Sequence, residues 1–285
     1  MGQARSERVR KVGASDSKTV VILAEPVLPD RSARVAHLAA HRGLIVRRAL
    51  LASAIRGFLP LPLADDALCL RIHAGLFQKL ASLRHVDLAH ERAVLLARAG
   101  VPGTLKTLTV TALSAVVAKF AGRKFLALLA AGHSAQDMAG SFLRASLFDH
   151  YCAMLHVGGP VSASRARRLC DCLAFAPAEL SSGPILEAFR EGARQLGRSL
   201  LEAPAWVMHR AAALGEKFVQ SRGNPEVLRA FPEVDEEHTW IDRAARAVDQ
   251  ALARAGSDTM AEVVDGFEQR WRSSAAEEDA TPGEK

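Results

Sequence analysis

Two adjacent carboxylates, Asp65 and Asp66, are the residues whose types and spacing come nearest to chemistry in this chain. Carboxylates buried side by side split their pKa values, so that one keeps a proton to donate while the other accepts. Arg56 and Arg71 are the natural counter-ions, and the four residues form the candidate polar site. His73 would supply an imidazole, but it lies about two turns beyond the carboxylates, on the order of 11 Å along a helix. A direct hydrogen bond within that helix is therefore not expected. A plainer account competes with the chemical one. Asp65 caps a helix while Asp66 favours the positive end of its dipole. That account explains both residues, and no catalytic residue is assigned.

Other spellings yield less. Gly192 to Ser199, GARQLGRS, matches a phosphate loop except for Arg198 at the lysine position. Such a loop needs a preceding strand and a helix starting at its last glycine, whereas Ile185, Phe189 and Leu196 keep helical spacing here. His37 and His41, four apart, would share a helix face for a metal. No Cys or carboxylate accompanies them with ligand spacing, so two partly exposed helix-terminal histidines are expected. Cys170 and Cys172 point to different faces of a helix and make poor zinc ligands. His150, between Asp149 and Tyr151, reads as a buried, hydrogen-bonded group rather than a base. No metal and no cofactor is expected.

The elements that would position these residues are helical. Asp30 or Ser32 caps a helix to about His41, with Gly43 as its stop. The next runs from about Leu44 to Phe58 and ends at the Pro60/Pro62 corner, because proline cannot donate a backbone hydrogen bond. Asp65 then opens a helix carrying Leu68, Ile72, Leu76, Leu80 and Leu83 at spacings of three and four. Further helices are predicted at about 88–98, 105–131, 135–156, 162–175, 184–201, 204–221, 236–255 and 258–272, the last capped by Ser257. Residues 135–156 carry the apolar stripe Met138, Phe142, Ala145, Phe148, Cys152 and Leu155. Only Thr19 to Leu28 has a β-like run, ended by Pro26 and Pro29.

Composition agrees. The chain has 285 residues, 49% of them hydrophobic and 24% charged, enough for a sizeable core and against wholesale disorder. Aromatics are scarce at 5%, so the core is built from Leu, Ala and Val, which favour helices. The fold class expected is all-α, a bundle of about eight to ten helices, with one short N-terminal extended segment allowed by the pattern. The organisation expected is a basic disordered arm at 1–18, a helical core domain at 19–176, a C-terminal helical subdomain packed on it at 184–273, and an acidic disordered tail at 274–285. The four cysteines read as buried free thiols in a reducing cytoplasm. No stretch reaches the 18 or so consecutive apolar residues of a membrane span, and no apolar leader is seen. The net charge of +6 permits an acidic partner or anionic membrane and specifies neither. Arginines scattered over most helices, rarely beside aromatics, argue against specific nucleic-acid binding.

Between Leu44 and Leu96 the pattern is a small-residue helix, Pro62-x-x-x-Asp66, an amphipathic helix with Gln78, then His85-Val86-Asp87 and Glu91. This resembles the EcsC-like and YcjF-like families of bacterial helical proteins, some of whose members are membrane-associated. The expected Pro-Gly-rich hairpin after Gly103 is absent, and Lys119, Arg123 and Lys124 stand there instead. The resemblance implies no catalytic residues.

The first function expected is a non-enzymatic helical protein of the bacterial cytoplasm, held peripherally at the inner face of the membrane or on a protein partner, with a regulatory or scaffold role. Arg5, Arg8, Arg10, Lys11, Lys119, Arg123 and Lys124 are its candidate membrane or anion contacts, through headgroups and long side-chain stems. The alternative is a soluble helical bundle that binds a small apolar ligand in an internal cavity, left by small residues such as Ala112 and Ala115. An enzyme using Asp65, Asp66 and His73 comes third.

Overall fold

A core of Leu, Ala and Val favours helices over sheets, and the described part of the chain is an all-α bundle without strands. The computed structural model describes residues 35–58, 62–99, 123–174, 183–201, 239–255 and 258–280. A short 3-10 helix, Ala36–Ala40, leads into α1 (Arg42–Phe58). There follow α2 (Pro62–Leu83), α3 (His90–Arg98), α4 (Arg123–His150), α5 (Ala163–Ala174), α6 (Pro184–Leu201), α7 (Thr239–Ala255) and α8 (Asp258–Ala280). The helix α4 ends in one π turn, Tyr151–Leu155, closed by the bond from His156 N–H to the Tyr151 carbonyl.

The central element is α4, which packs against α1, α2, α5, α6 and α8. Its stripe Met138, Phe142, Ala145, Phe148 and Cys152 is buried, as its spacing of three and four requires. Phe148 meets Phe77 of α2 edge-to-face at 4.9 Å, and Phe142 meets Phe189 of α6 at 5.3 Å. The most extensive pair is α6 with α7. They approach so closely at Gly192 that a Cβ there would stand 2.2 Å from Val248 Cγ2. The GARQLGRS segment is helix throughout, and its first glycine serves this contact, not a phosphate. All eight helices of the described residues contribute to one core cluster, so the described parts of 19–176 and 184–273 share a single hydrophobic interior.

Several boundaries differ from expectation, each for a local reason. Helix α2 begins at Pro62, not Asp65. Proline suits the first helical position, where its missing N–H would be unpaired anyway, and Asp65 and Asp66 fall just inside the helix. Gly43 stands in the first turn of α1 instead of stopping a helix. Helix α4 continues through Gly132, where a break between 131 and 135 was expected. One helical glycine costs only about 1 kcal/mol, which the buried turns after it outweigh. Helix α8 runs on to Ala280, into the stretch expected as an acidic tail, because Ala275, Ala276, Glu277 and Glu278 are strong helix formers. The basic arm, the 19–28 run, residues 105–122 and 204–221, and Ser257 lie outside the described residues.

Candidate functional site

The site begins with how α2 ends. Val86 N–H bonds the Ala81 carbonyl at 2.8 Å and His85 N–H bonds that of Ser82 at 3.1 Å, the paired bonds of a Schellman cap. The cap places His85 in the left-handed region, at φ 57°, the only such non-glycine among the described residues. Val86 folds back into the core. Arg84, the residue before the left-handed turn, is thereby aimed across the bundle at the end of α4.

There it meets Asp149, which has no exposed surface. Arg84 donates from Nε and Nη2 to the two Asp149 oxygens, each at 2.8 Å, and from Nη2 to the His37 carbonyl at 3.0 Å. His41 Nδ1 lies 2.9 Å from Asp149 Oδ1. The neighbouring side chain, His150, is 1% exposed and joins a second chain of contacts. Its Nδ1 lies 3.2 Å from His37 Nε2, and its Nε2 lies 3.0 Å from Glu268 Oε1 of α8. Arg272, one turn further along α8, holds the other Glu268 oxygen. The carboxylate of Asp149 pushes the Arg84 guanidinium above its ordinary value through its hydrogen bonds, against burial, which acts the other way.

Beyond His150 the π turn carries Tyr151 and Cys152 inward. Tyr151 packs on Trp271 at 5.1 Å, and its hydroxyl lies 3.2 Å from His156 Nδ1. Arg168 of α5 lies over the Trp271 ring, 3.8 Å from its centroid. Its Nε donates to Ser274 Oγ at 2.7 Å, and Nη2 donates to the Trp271 carbonyl. Burial pushes the Tyr151 phenol up to about 12 and the Cys170 thiol up to about 11. The Cys152 thiol rises too, through burial and then the Asp149 charge. Near neutral pH these groups keep their protons, so none is an activated nucleophile.

The same end of the bundle carries the α2–α3 and α4–α5 turns. Val161 N–H bonds the Asp87 carbonyl at 3.0 Å, and Arg92 donates to the Val161 carbonyl, which locks the two turns side by side. Gly158 and Gly159 take φ values of 45° and 71°, which lets the α4–α5 turn reverse tightly. Three large hydrophobic side chains stand out in water here: Leu83 at 43%, Met154 at 60% and Val157 at 82% exposure. Lys79, one turn before Leu83, and Arg167 on α5 are exposed, as are Asp87 and Glu91.

The residues singled out from the sequence fall elsewhere. Asp65, Asp66 and Arg56 lie on the described backbone of α2 and α1, with their side chains outside the described residues. Arg71 is exposed on α2, and His73 is buried there. Arg123 and Lys124 open α4, whereas Arg5, Arg8, Arg10, Lys11 and Lys119 lie outside the described residues. His150 is the buried, hydrogen-bonded group its position implied. His37 and His41 are the partly exposed histidines at the ends of a short helix that their spacing implied, and they also reach Asp149 and His150. The signal was present only as chemistry without position: two histidines four apart, and an Asp-His pair in an apolar stripe.

Every charged member of the cluster has an opposite partner, which makes it a cross-link between α2, α4, α8 and the 3-10 helix. Among the described residues, no group of three or more His, Cys, Asp or Glu side chains is placed to hold a metal ion. No family model, curated protein or solved structure matches the chain. The outward-facing large hydrophobic side chains among the described residues are Leu83, Met154 and Val157.

Proposed function

We propose that this chain is a non-enzymatic helical protein that attaches peripherally to an anionic membrane surface, at the inner face of a bacterial membrane, through the end formed by the α2–α3 and α4–α5 turns. The observation that carries the reading is the exposure of three large hydrophobic side chains, Leu83 at the end of α2 and Met154 and Val157 just beyond α4, at helix ends that Arg84 and Asp149 tie together. No helix among the described residues is long and apolar enough to cross a membrane, so attachment would be to the surface. The resemblance of residues 44–96 to EcsC-like and YcjF-like proteins points the same way.

Magnitudes favour lipid over a protein partner. Three side chains fall far short of the roughly 800 Å² per partner that a stable protein interface needs. As a wedge in the headgroup region each contributes at most about 1.5–3 kcal/mol, and Leu83, which is already more than half covered, less. Lys79 and Arg167 each add about 1 kcal/mol close to an anionic surface, with Asp87 and Glu91 offsetting part of it. The sum is weak, reversible and salt-dependent attachment.

Flotation with vesicles of neutral lipid plus about a quarter anionic lipid tests it, since a few cations and a small wedge need an anionic surface. The full-length protein should float at low ionic strength and lose most of its binding in high salt. The double variant Met154→Asp/Val157→Asp should stay at the bottom while keeping its helical circular dichroism. A wild-type chain that does not float at low salt, or a double variant that floats equally well, removes the reading.

A further inference from the structure

We infer that Tyr151, with His156 as its proton acceptor and Trp271 as its electron partner, is a one-electron redox site that takes up oxidising equivalents from an anionic inorganic radical such as the carbonate radical. The inference concerns the π turn and its neighbours, and it stands independently of membrane attachment.

A backbone carbonyl fixes the hydrogen-bond order. The Gly159 carbonyl only accepts, so His156 donates to it from Nε2 across 3.1 Å. In a neutral imidazole the other nitrogen then accepts, and His156 Nδ1 lies 3.2 Å from the Tyr151 hydroxyl. Arg165 of α5 donates to the same phenol oxygen. With a donor on one side and an acceptor on the other, the phenol proton points at His156. The hydroxyl is thereby set within reach of a base before any electron leaves.

The electron has a route as well. Tyr151 has no exposed surface, so an oxidant in water does not touch it. Its ring packs edge-to-face on Trp271 at 5.1 Å, and Trp271 is only partly buried. The indole is therefore the place where an electron leaves for solution. Arg168 lies over that indole, where its charge draws an anionic oxidant and opposes a positive hole on the ring. The hole passes inward to Tyr151.

The step balances. The carbonate radical takes one electron from Trp271 and becomes carbonate. Tyr151 returns that electron to the indole while its O–H bond breaks and the proton moves to His156 Nδ1. The products are a neutral phenoxyl radical and an imidazolium, whose bond to the Gly159 carbonyl becomes charge-assisted. His156 is partly exposed, so water weakens the repulsion between the new charge and Arg165. Burial beside Phe148 and Trp271 keeps the radical from meeting a second one. A one-electron donor such as ascorbate reverses the step, with the proton returning from His156.

The chain has a single tyrosine, so any phenoxyl signal reports Tyr151 alone. The probe is carbonate radical released by flash photolysis of a carbonato-cobalt(III) complex, at about pH 8, above the ordinary imidazole value. In the full-length wild type the indolyl absorption should decay into that of a phenoxyl. Trp271→Phe keeps an aromatic ring against Tyr151 and should lose most of the phenoxyl. His156→Leu should slow its formation about tenfold or more, since it removes a positioned base. Absence of a phenoxyl in the wild type, an undiminished yield in Trp271→Phe, or an unchanged rate in His156→Leu each overturns the site. Should either variant lose its helical circular dichroism, the wild type in heavy water decides. A slower conversion there supports proton movement with the electron, and an equal rate overturns it.

Discussion

Arg84 grips both carboxylate oxygens of Asp149 at 2.8 Å, although the two lie 65 positions apart in the chain. The bond unites the end of α2 with the end of α4 at a point where Asp149 has no contact with water. A fully buried carboxylate depends on its partners, so the two halves of this pair are not equivalent under mutation.

Arg84→Met should be the costlier change. It leaves the buried carboxylate with His41 alone, and breaking a buried pair from one side costs about 3–5 kcal/mol. Asp149→Asn keeps an acceptor for Arg84, whose side chain is 19% exposed and reaches water, and should cost about 1–3 kcal/mol. Urea unfolding midpoints of the two variants check the order.

Gly192→Ala should destabilise in spite of the gain in helix propensity. The new Cβ meets Val248 Cγ2 at 2.2 Å, and a buried β-branched side chain has little freedom to retreat. Overpacking of about 1–3 kcal/mol outweighs the gain of about 1 kcal/mol in propensity. The double variant Gly192→Ala/Val248→Ala relieves the clash and should recover part of the loss, measured by thermal unfolding.

His85→Gly should have the opposite sign. His85 sits at φ 57° with its side chain exposed, so glycine keeps the Schellman cap and removes the steric cost of a Cβ there. A stabilisation of about 0.5–1 kcal/mol is expected from chemical unfolding. Loss of stability instead would mean that the His85 ring makes a contact of its own.

Alkali should weaken the fold from about pH 9 upward. Burial raises the Cys170 thiol from 9.0 to about 11 and the Tyr151 phenol from 10.0 to about 12. In the unfolded chain these groups ionise first, so over 9–11 and then 10–12 the unfolded state binds fewer protons and stability falls as pH rises. Below pH 9 their contribution is fully present. Tyr151→Phe should flatten the upper part of the fall, and urea midpoints between pH 8 and 12 read it.

Met154→Asp/Val157→Asp should leave stability within about 0.5 kcal/mol of the wild type, since both side chains stand in water. Unfolding curves that coincide with the wild type make any loss of vesicle binding a surface effect. A large drop would mean that the two side chains belong to the core.

Local patterning made the helices legible. The apolar stripe of α4 and the ends of α6, at Pro184 and Leu201, could be read from spacing, proline and the Gly183 break. The continuity of α4 across Gly132 could not, because a lone glycine is a weak stop once tertiary packing holds the helix. The polar cluster was harder still. His37 and His41 show only their mutual spacing of four, while their partners Asp149 and His150 lie more than a hundred residues away. Hydrogen bonds between distant side chains leave no periodic trace. The adjacent aspartates 65 and 66 were conspicuous for the contrary reason: proximity in sequence is visible, and shared burial is not.

The cluster at the end of α4 also bears on how the chain reaches its fold. Its bonds join residues 108 and 118 positions apart, His41 to Asp149 and His150 to Glu268. Helical hairpins close quickly because their contacts are local, whereas these bonds need three distant parts of the chain in place at once. Closing so long a loop adds only about 0.6 kcal/mol per doubling of length, so the delay concerns order more than stability. The histidine–carboxylate bonds should therefore form among the last, after the helices have paired. Their completion would mark the native state from a collapsed bundle that has its helices but not yet its register.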